Sequence, residues 1–301
     1  FVQRLRTRWE AAETLLCVGL DPEWPRLPRS ARGEAEGTPA RAEPWDDAVL
    51  EAALVNFNAA IVDATADLVC AFKPNAAFYE AHGPAGLRAL IRTITHIHTR
   101  YPAIPVILDA KRGDIGSTSR AYARAAFDVC GADAVTLQPY LGREALAPFL
   151  ERADRGALIL CRTSNPGAGE LQDLRVSSGE RTTAEPLFLT LARHVAGQWN
   201  ANGNCGLVVG ATYPDELRQM RALVGDLPLL VPGVGAQGGD LAATLAAGLD
   251  SRRQGLIISA SRSILYAGDG PDFAQVARAE ALRLRAAIED FRGGRRSNSA
   301  E

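Results

Sequence analysis

Short apolar runs alternate along the chain with longer stretches whose apolar residues recur every three or four positions. The runs read as strands: TLLCVGLD (14–21), LVCAFKP (68–74), PVILDAK (105–111), AVTLQP (134–139), ALILCRTS (157–164), GLVVGAT (206–212), PLLVPGV (228–234) and GLIISAS (255–261). Between them, stretches such as AVLEAALVNFNAAIVDAT, GLRALIRTITHIHT and PLFLTLARHVAGQWN read as amphipathic helices. Strand and helix in strict alternation predict repeated βα units and a parallel sheet. Eight units spread over residues 14–291 come to about 35 residues each, the size expected of a closed (β/α)8 barrel. A doubly wound open sheet is the rival, weakened because the first strand is followed by no Gly-rich dinucleotide fingerprint. The expected organisation is one α/β domain, a TIM barrel over residues 1–291, followed by a disordered tail, RGGRRSNSAE (292–301).

Composition narrows the ligand. The 301 residues carry a net charge of −2, which gives no broad attraction for nucleic acid or an anionic membrane, so a phosphate must be met by a local site. Apolar runs stop at six to eight residues, far from the roughly 20 a membrane span needs. The charged start, FVQRLRTRWEAAE, lacks the apolar core of a secretion signal. A cytoplasmic protein acting on a small molecule is expected. The cysteines (17, 70, 130, 161 and 205) form no CxxC pair and mostly sit in apolar runs, so they read as buried small hydrophobes, not metal or redox groups.

Two polar segments interrupt the pattern, residues 28–46 after the first strand and 165–184 after the fifth. Both follow C-terminal strand ends, the face on which barrels place their chemistry, so either could cover a substrate. For the first, a solvated insertion explains the composition equally well.

Charged residues close three of the apolar strands: Asp21, Lys73, and Asp109 with Lys111, with Asp114 following in the loop. Strand alternation puts Asp109 and Lys111 on one side, with Lys73 within reach on the neighbouring strand. Two carboxylates and two ammonium groups in a barrel mouth are expensive to desolvate for stability alone, although structural ion-pair networks also occur. A second cluster, PGVGAQGGD (232–240), joins the seventh strand to the next helix. Its glycines and the unpaired N–H groups of the helix N-terminus suit a phosphate. Arg262, directly after the eighth strand, strengthens this reading, because barrels often bind phosphate between the loops after strands seven and eight. Ser164 and Asn165 could read the edge of a heterocycle, or simply form the NPG turn. His96 and His98, two apart on a helix, share no face and make poor joint ligands.

The spacing Asp-x-Lys-x-x-Asp in DAKRGDIGST, with Ile115 and Thr118, resembles the signature of the orotidine 5'-phosphate decarboxylases. The runs VGLDP, FKPNAAFYE, TSNPGAGELQ, PGVGAQGGD and SRSIL follow in the order of that family's longer branch, from about residue 14 to 290. The resemblance implies a cofactor-free and metal-free carboxy-lyase of pyrimidine synthesis that turns orotidine monophosphate into uridine monophosphate. It implies that Lys73, Asp109, Lys111 and Asp114 form the catalytic network, with Lys111 protonating C6. Asp21 and Asn75 then contact the substrate, Ser164 reads the pyrimidine, and Gln237, Gly238 and Arg262 hold the phosphate. It further implies a homodimer in which Asp114, Ile115 and Thr118 reach the partner's site. Two alternatives stay open: a magnesium-dependent sugar-phosphate decarboxylase, which shares an Asp-x-Lys-x-x-Asp pattern, and a barrel that binds nucleotides without turnover.

Overall fold

The computed structural model describes residues 1–34, 43–44, 46–177, 183–234 and 239–294. All eight expected strands form: β1 (Leu16–Leu20), β2 (Ala71–Pro74), β3 (Ile107–Arg112), β4 (Ala134–Leu137), β5 (Gly156–Arg162), β6 (Cys205–Val209), β7 (Leu229–Pro232) and β8 (Leu256–Ala260). They pair in parallel in the order β2-β1-β8-β7-β6-β5-β4-β3. The bridges Phe72↔Val106 and Asn75↔Asp109 then bring β2 to β3, so the sheet closes into a barrel. That β2–β3 seam has only isolated bridges where the other neighbours share ladders.

Continuous apolar runs suit strands buried both inside and under a ring of helices. Leu16, Cys17 and Val18 of β1 and Leu256, Ile257 and Ile258 of β8 are all buried. The first long helix, Asp47–Thr65, starts where the Asp46 carboxylate accepts the Val49 N–H at 2.7 Å, a standard N-cap. With the turn that follows, it is long and apolar enough to cross a membrane by length and composition, which counting uninterrupted apolar runs did not reveal. Here Leu50, Leu54, Phe57 and Ile61 are instead buried within the protein, and Phe57 stacks on Phe273 of the last helix at 5.4 Å.

That last helix spans Phe273–Gly294. Arg292 is buried and donates to the Arg253 carbonyl at 2.8 Å, so the tail boundary expected at residue 292 falls inside the helix; residues 295–301 lie outside the described residues. The first polar insertion also departs from a purely solvated reading. Ala31 and Arg32 are buried, and Arg32 pairs with Glu34 at 3.3 Å. In the second, a turn of helix (Gly169–Gln172) leads to a two-residue strand, Arg175–Val176, antiparallel to Glu185–Pro186. The cysteines are free thiols, four buried and Cys130 partly so.

Candidate active site

At the C-terminal mouth of the barrel the strand ends enclose a cleft of about 810 Å³, within the range of small-molecule sites. Leu160, Val208 and Leu230 supply apolar walls, and the polar groups converge from β1, β2, β3, β5 and β8.

Asp109 is the centre of charge. Its Oδ2 accepts Lys73 Nζ at 3.1 Å, and its Oδ1 accepts Lys111 Nζ at 2.7 Å and the Thr136 hydroxyl at 2.8 Å. Burial by itself pushes the Asp109 pKa up, but the two ammonium groups and the Thr136 hydroxyl outweigh it and hold the carboxyl well below the ordinary range. Burial likewise works to lower Lys73, and the charges of Asp109 and Asp21 reverse it, raising Lys73 above its usual value. Both groups therefore stay ionised across the neutral range. Cys17, beneath Lys73, is pushed up to about 12, chiefly by burial, which leaves a protonated and unreactive thiol.

The backbone that aims these groups is irregular. The ladder between β3 and β4 steps from Leu108↔Val135 to Arg112↔Leu137, so β3 bulges, and Lys111 adopts φ +49, a conformation that costs a residue with a side chain. Alternation along a regular strand gave the right grouping of Asp109 with Lys111 by a simpler route than the one the chain takes. Thr136, which sits opposite the bulge, had no signal in the run AVTLQP.

On the next wall, Asp21 Oδ1 accepts the Asn75 N–H at 3.2 Å, and Asn75 Oδ1 accepts the Ala77 N–H at 3.1 Å. Both side chains line the cleft. The close approach of β1 to the β8 loop requires Gly19, where a Cβ would lie 1.8 Å from Ser261 Oγ. Ser164 and Asn165 line the β5 side with Gln172, another residue the sequence did not flag. Gln172 Oε1 accepts the Thr163 N–H at 2.9 Å and Arg162 Nη1 at 3.3 Å. Arg162 Nη2 also reaches Asp173 at 3.2 Å, and its guanidinium lies 3.9 Å from the Tyr213 ring centre. A buried arginine thus ties the segment after β5 to the barrel. The one visible hint was a charged residue inside the apolar run ALILCRTS.

Arg262 lines the cleft directly after β8, is exposed, and its side chain has no hydrogen bond or ion pair among the described residues. Its charge is available to a ligand. The helix after β7 contributes less than expected, because the Asp240 carboxylate accepts the Ala242 and Ala243 N–H groups at 2.8 and 3.2 Å. Those two N–H groups are therefore already paired, and the carboxylate adds negative charge at the helix start. Gln237 and Gly238, in the preceding loop, lie outside the described residues. Asp114, Ile115 and Thr118 do not line the cleft of their own chain; the Asp114 carboxylate accepts the Ile115 N–H at 2.7 Å, and Ile115 and Thr118 face outward.

The barrel with this cleft coincides with known proteins over nearly its whole length. The model of the orotidine 5'-phosphate decarboxylase / HUMPS family matches residues 14–277. The chain belongs to this family. An orotidine 5'-phosphate decarboxylase of Aromatoleum aromaticum is 52% identical over 293 residues, covering 97% of this chain and 99% of that protein. One from Roseiflexus castenholzii is 52% identical over 291 residues, covering 96% and 97%. Among solved structures, the OMP decarboxylase of Leishmania donovani superposes with a TM-score of 0.78 at 37% identity, covering 97% of this chain and 98% of that one.

Within the decarboxylase family frame, the structure brings Lys73, Asp109 and Lys111 into one hydrogen-bonded group and sets Asp21, Asn75, Ser164 and Arg262 around the same cleft. It keeps Asp114 out of that group within the single chain.

Proposed function

We propose that the protein is an orotidine 5'-phosphate decarboxylase that uses Lys111 as the proton donor to C6 and needs no metal or organic cofactor. The observation that carries this reading is the Asp109 carboxylate held by two ammonium groups, Lys73 at 3.1 Å and Lys111 at 2.7 Å, in a cleft also lined by Arg262, whose guanidinium has no partner among the described residues. Family membership and about half identity to named decarboxylases support it.

Loss of carbon dioxide from C6 leaves negative charge on a ring carbon with little resonance relief, so the barrier falls only if positive charge is already in place. Lys111 supplies that charge. The C6–carboxylate bond breaks, its electron pair stays on C6, and a proton moves from Lys111 Nζ to C6. Asp109 holds Lys111 in position and places a like charge near the departing carboxylate; Lys73 keeps Asp109 ionised and oriented. Arg262 with Gln237 and Gly238 grips the phosphate, Asp21 and Asn75 contact the ribose side, and Ser164 reads the pyrimidine. Phosphate binding energy, remote from C6, is then available to close the segment after β5 over the substrate.

Against the magnesium-dependent sugar-phosphate reading, both oxygens of Asp109 already accept charged donors, which favours the metal-free chemistry.

The functional unit in this reading is a homodimer. Ile115, Tyr140 and Leu141 are exposed large apolar residues clustered on the β3 and β4 loops, a patch that a second copy would cover. Asp114, beside it, would complete the Lys73–Asp109–Lys111 group of the partner subunit.

The deciding experiment is ultraviolet-monitored turnover of orotidine monophosphate by purified protein, with a chelator and then with added magnesium. Full activity under chelation supports the proposal. Activity only with magnesium moves the chain to enediolate chemistry, and tight nucleotide binding without turnover makes it a binding protein.

A further inference from the structure

Thr136 is buried, on β4, and stands opposite the distorted part of β3. Its Oγ1 accepts the backbone N–H groups of Ala110 and Lys111, each at 3.0 Å, and donates its proton to Asp109 Oδ1 at 2.8 Å. A hydroxyl has one proton and two acceptor positions, so all three are committed and the direction of each bond is fixed. The two N–H groups belong to the residues that leave the regular ladder between Leu108↔Val135 and Arg112↔Leu137. Without the hydroxyl they would face the barrel wall unpaired. The same two bonds hold Lys111 at φ +49, which a lysine does not adopt unaided.

We infer that Thr136 is a positioning residue for the Asp109–Lys111 pair: its hydroxyl stabilises the bulge that aims the Lys111 ammonium and fixes the rotamer of the Asp109 carboxylate. The inference rests on the proposed roles of Asp109 and Lys111. Thr136 itself neither donates to nor accepts from the substrate. A hydrophobic residue would fill the same volume but release the Lys111 backbone and remove one of the bonds that orient Asp109, and displacement of a catalytic group by about 1 Å costs on the order of 100-fold in rate.

The test is steady-state turnover of orotidine monophosphate by wild type, T136V, T136A and T136S, alongside calorimetric binding of uridine monophosphate. T136V should lose about 100-fold in kcat with little change in KM or in product affinity, because the phosphate and ribose contacts lie on other strands. T136A should fall in the same direction, and T136S, which restores the hydroxyl, should recover most of the activity. Wild-type kcat in T136V or T136A, with product binding intact, overturns the inference. So does a T136S variant as slow as T136V, which would make the methyl group the important part. Insoluble Val and Ala variants beside an active Ser variant would mark Thr136 as a stability residue only, and the inference fails. A wild-type protein without decarboxylase activity refutes instead the functional reading on which it rests.

Discussion

Replacing Arg262 with alanine tests the proposed phosphate contact apart from every other role of the cleft. The side chain is exposed and has no partner among the described residues, so its removal strands no buried group and should move the melting temperature by no more than about 1 °C. Its value lies in the ligand. A charge-assisted contact to a phosphate contributes about 1.5–3 kcal/mol. At about 1.4 kcal/mol per factor of ten, uridine monophosphate should bind roughly 10- to 150-fold more weakly. Uridine, without the phosphate, should bind both proteins equally. Isothermal titration of the two ligands against the two proteins forms a cycle in which only the phosphate–guanidinium term survives. R262K restores the charge as a point donor without the planar fork and should fall between the two. Equal weakening of uridine and uridine monophosphate would mean that Arg262 shapes the cleft; unchanged affinity for both would place the phosphate elsewhere.

Three further outcomes are expected. Lys111→Ala should abolish turnover while uridine monophosphate still binds, read by a single-turnover assay beside calorimetry; near-wild-type turnover would remove Lys111 as proton donor. Mixing inactive Asp114→Ala with inactive Lys111→Ala should restore about a quarter of the wild-type activity, since random exchange makes half the dimers hybrid and gives each hybrid one intact site; no recovery after verified subunit exchange would place Asp114 in its own chain's site. Asp133→Ala, at the opposite end of the barrel, should lower Tm by about 5 °C, the equivalent of about 3 kcal/mol, without altering KM. Asp133 is buried and accepts Arg4, His98 at 2.9 Å and the Val106 N–H at 2.8 Å. Burial opposes its ionisation, but those donors outweigh it and lower its pKa. The stability it contributes is complete above the unfolded carboxyl's value of about 4 and is lost as pH falls through the lower folded value. The gap in Tm between wild type and variant should therefore narrow in acid, and a constant gap would refute the linkage.

The eight strands were legible because most of their length is buried on two sides and so is apolar, which makes them stand out against helices that alternate faces. Lys73, Asp109 and Lys111 were legible for the opposite reason: ionic groups at the ends of such runs need a purpose or a partner. Thr136 and the bulge it supports were not legible, since a threonine in a strand is unremarkable and its partners are backbone groups of another strand. Asp240 at the start of its helix could have been read as an N-cap, and that would have corrected the expectation of free N–H groups there. Gln172 and Arg162 act through each other across a turn, a pairing that composition does not encode. The tail boundary at 292 was placed too early because the end of the last helix is polar, with Arg292 held by the Arg253 carbonyl.

The sparse seam between β2 and β3 gives the Lys73–Asp109–Lys111 charges a second meaning. Phe72↔Val106 and Asn75↔Asp109 are the bridges that join these two strands, and the Lys73–Asp109 pair at 3.1 Å spans the same gap. The ion pair thus acts as a rivet where the cylinder is least knitted by its own backbone. Evolution of the chemistry is then constrained by architecture. A change that retunes these charges for another substrate also loosens the joint that keeps them apart at the working distance, so new activities in this scaffold are more accessible through the β5 segment or the β8 loop than through the pair itself.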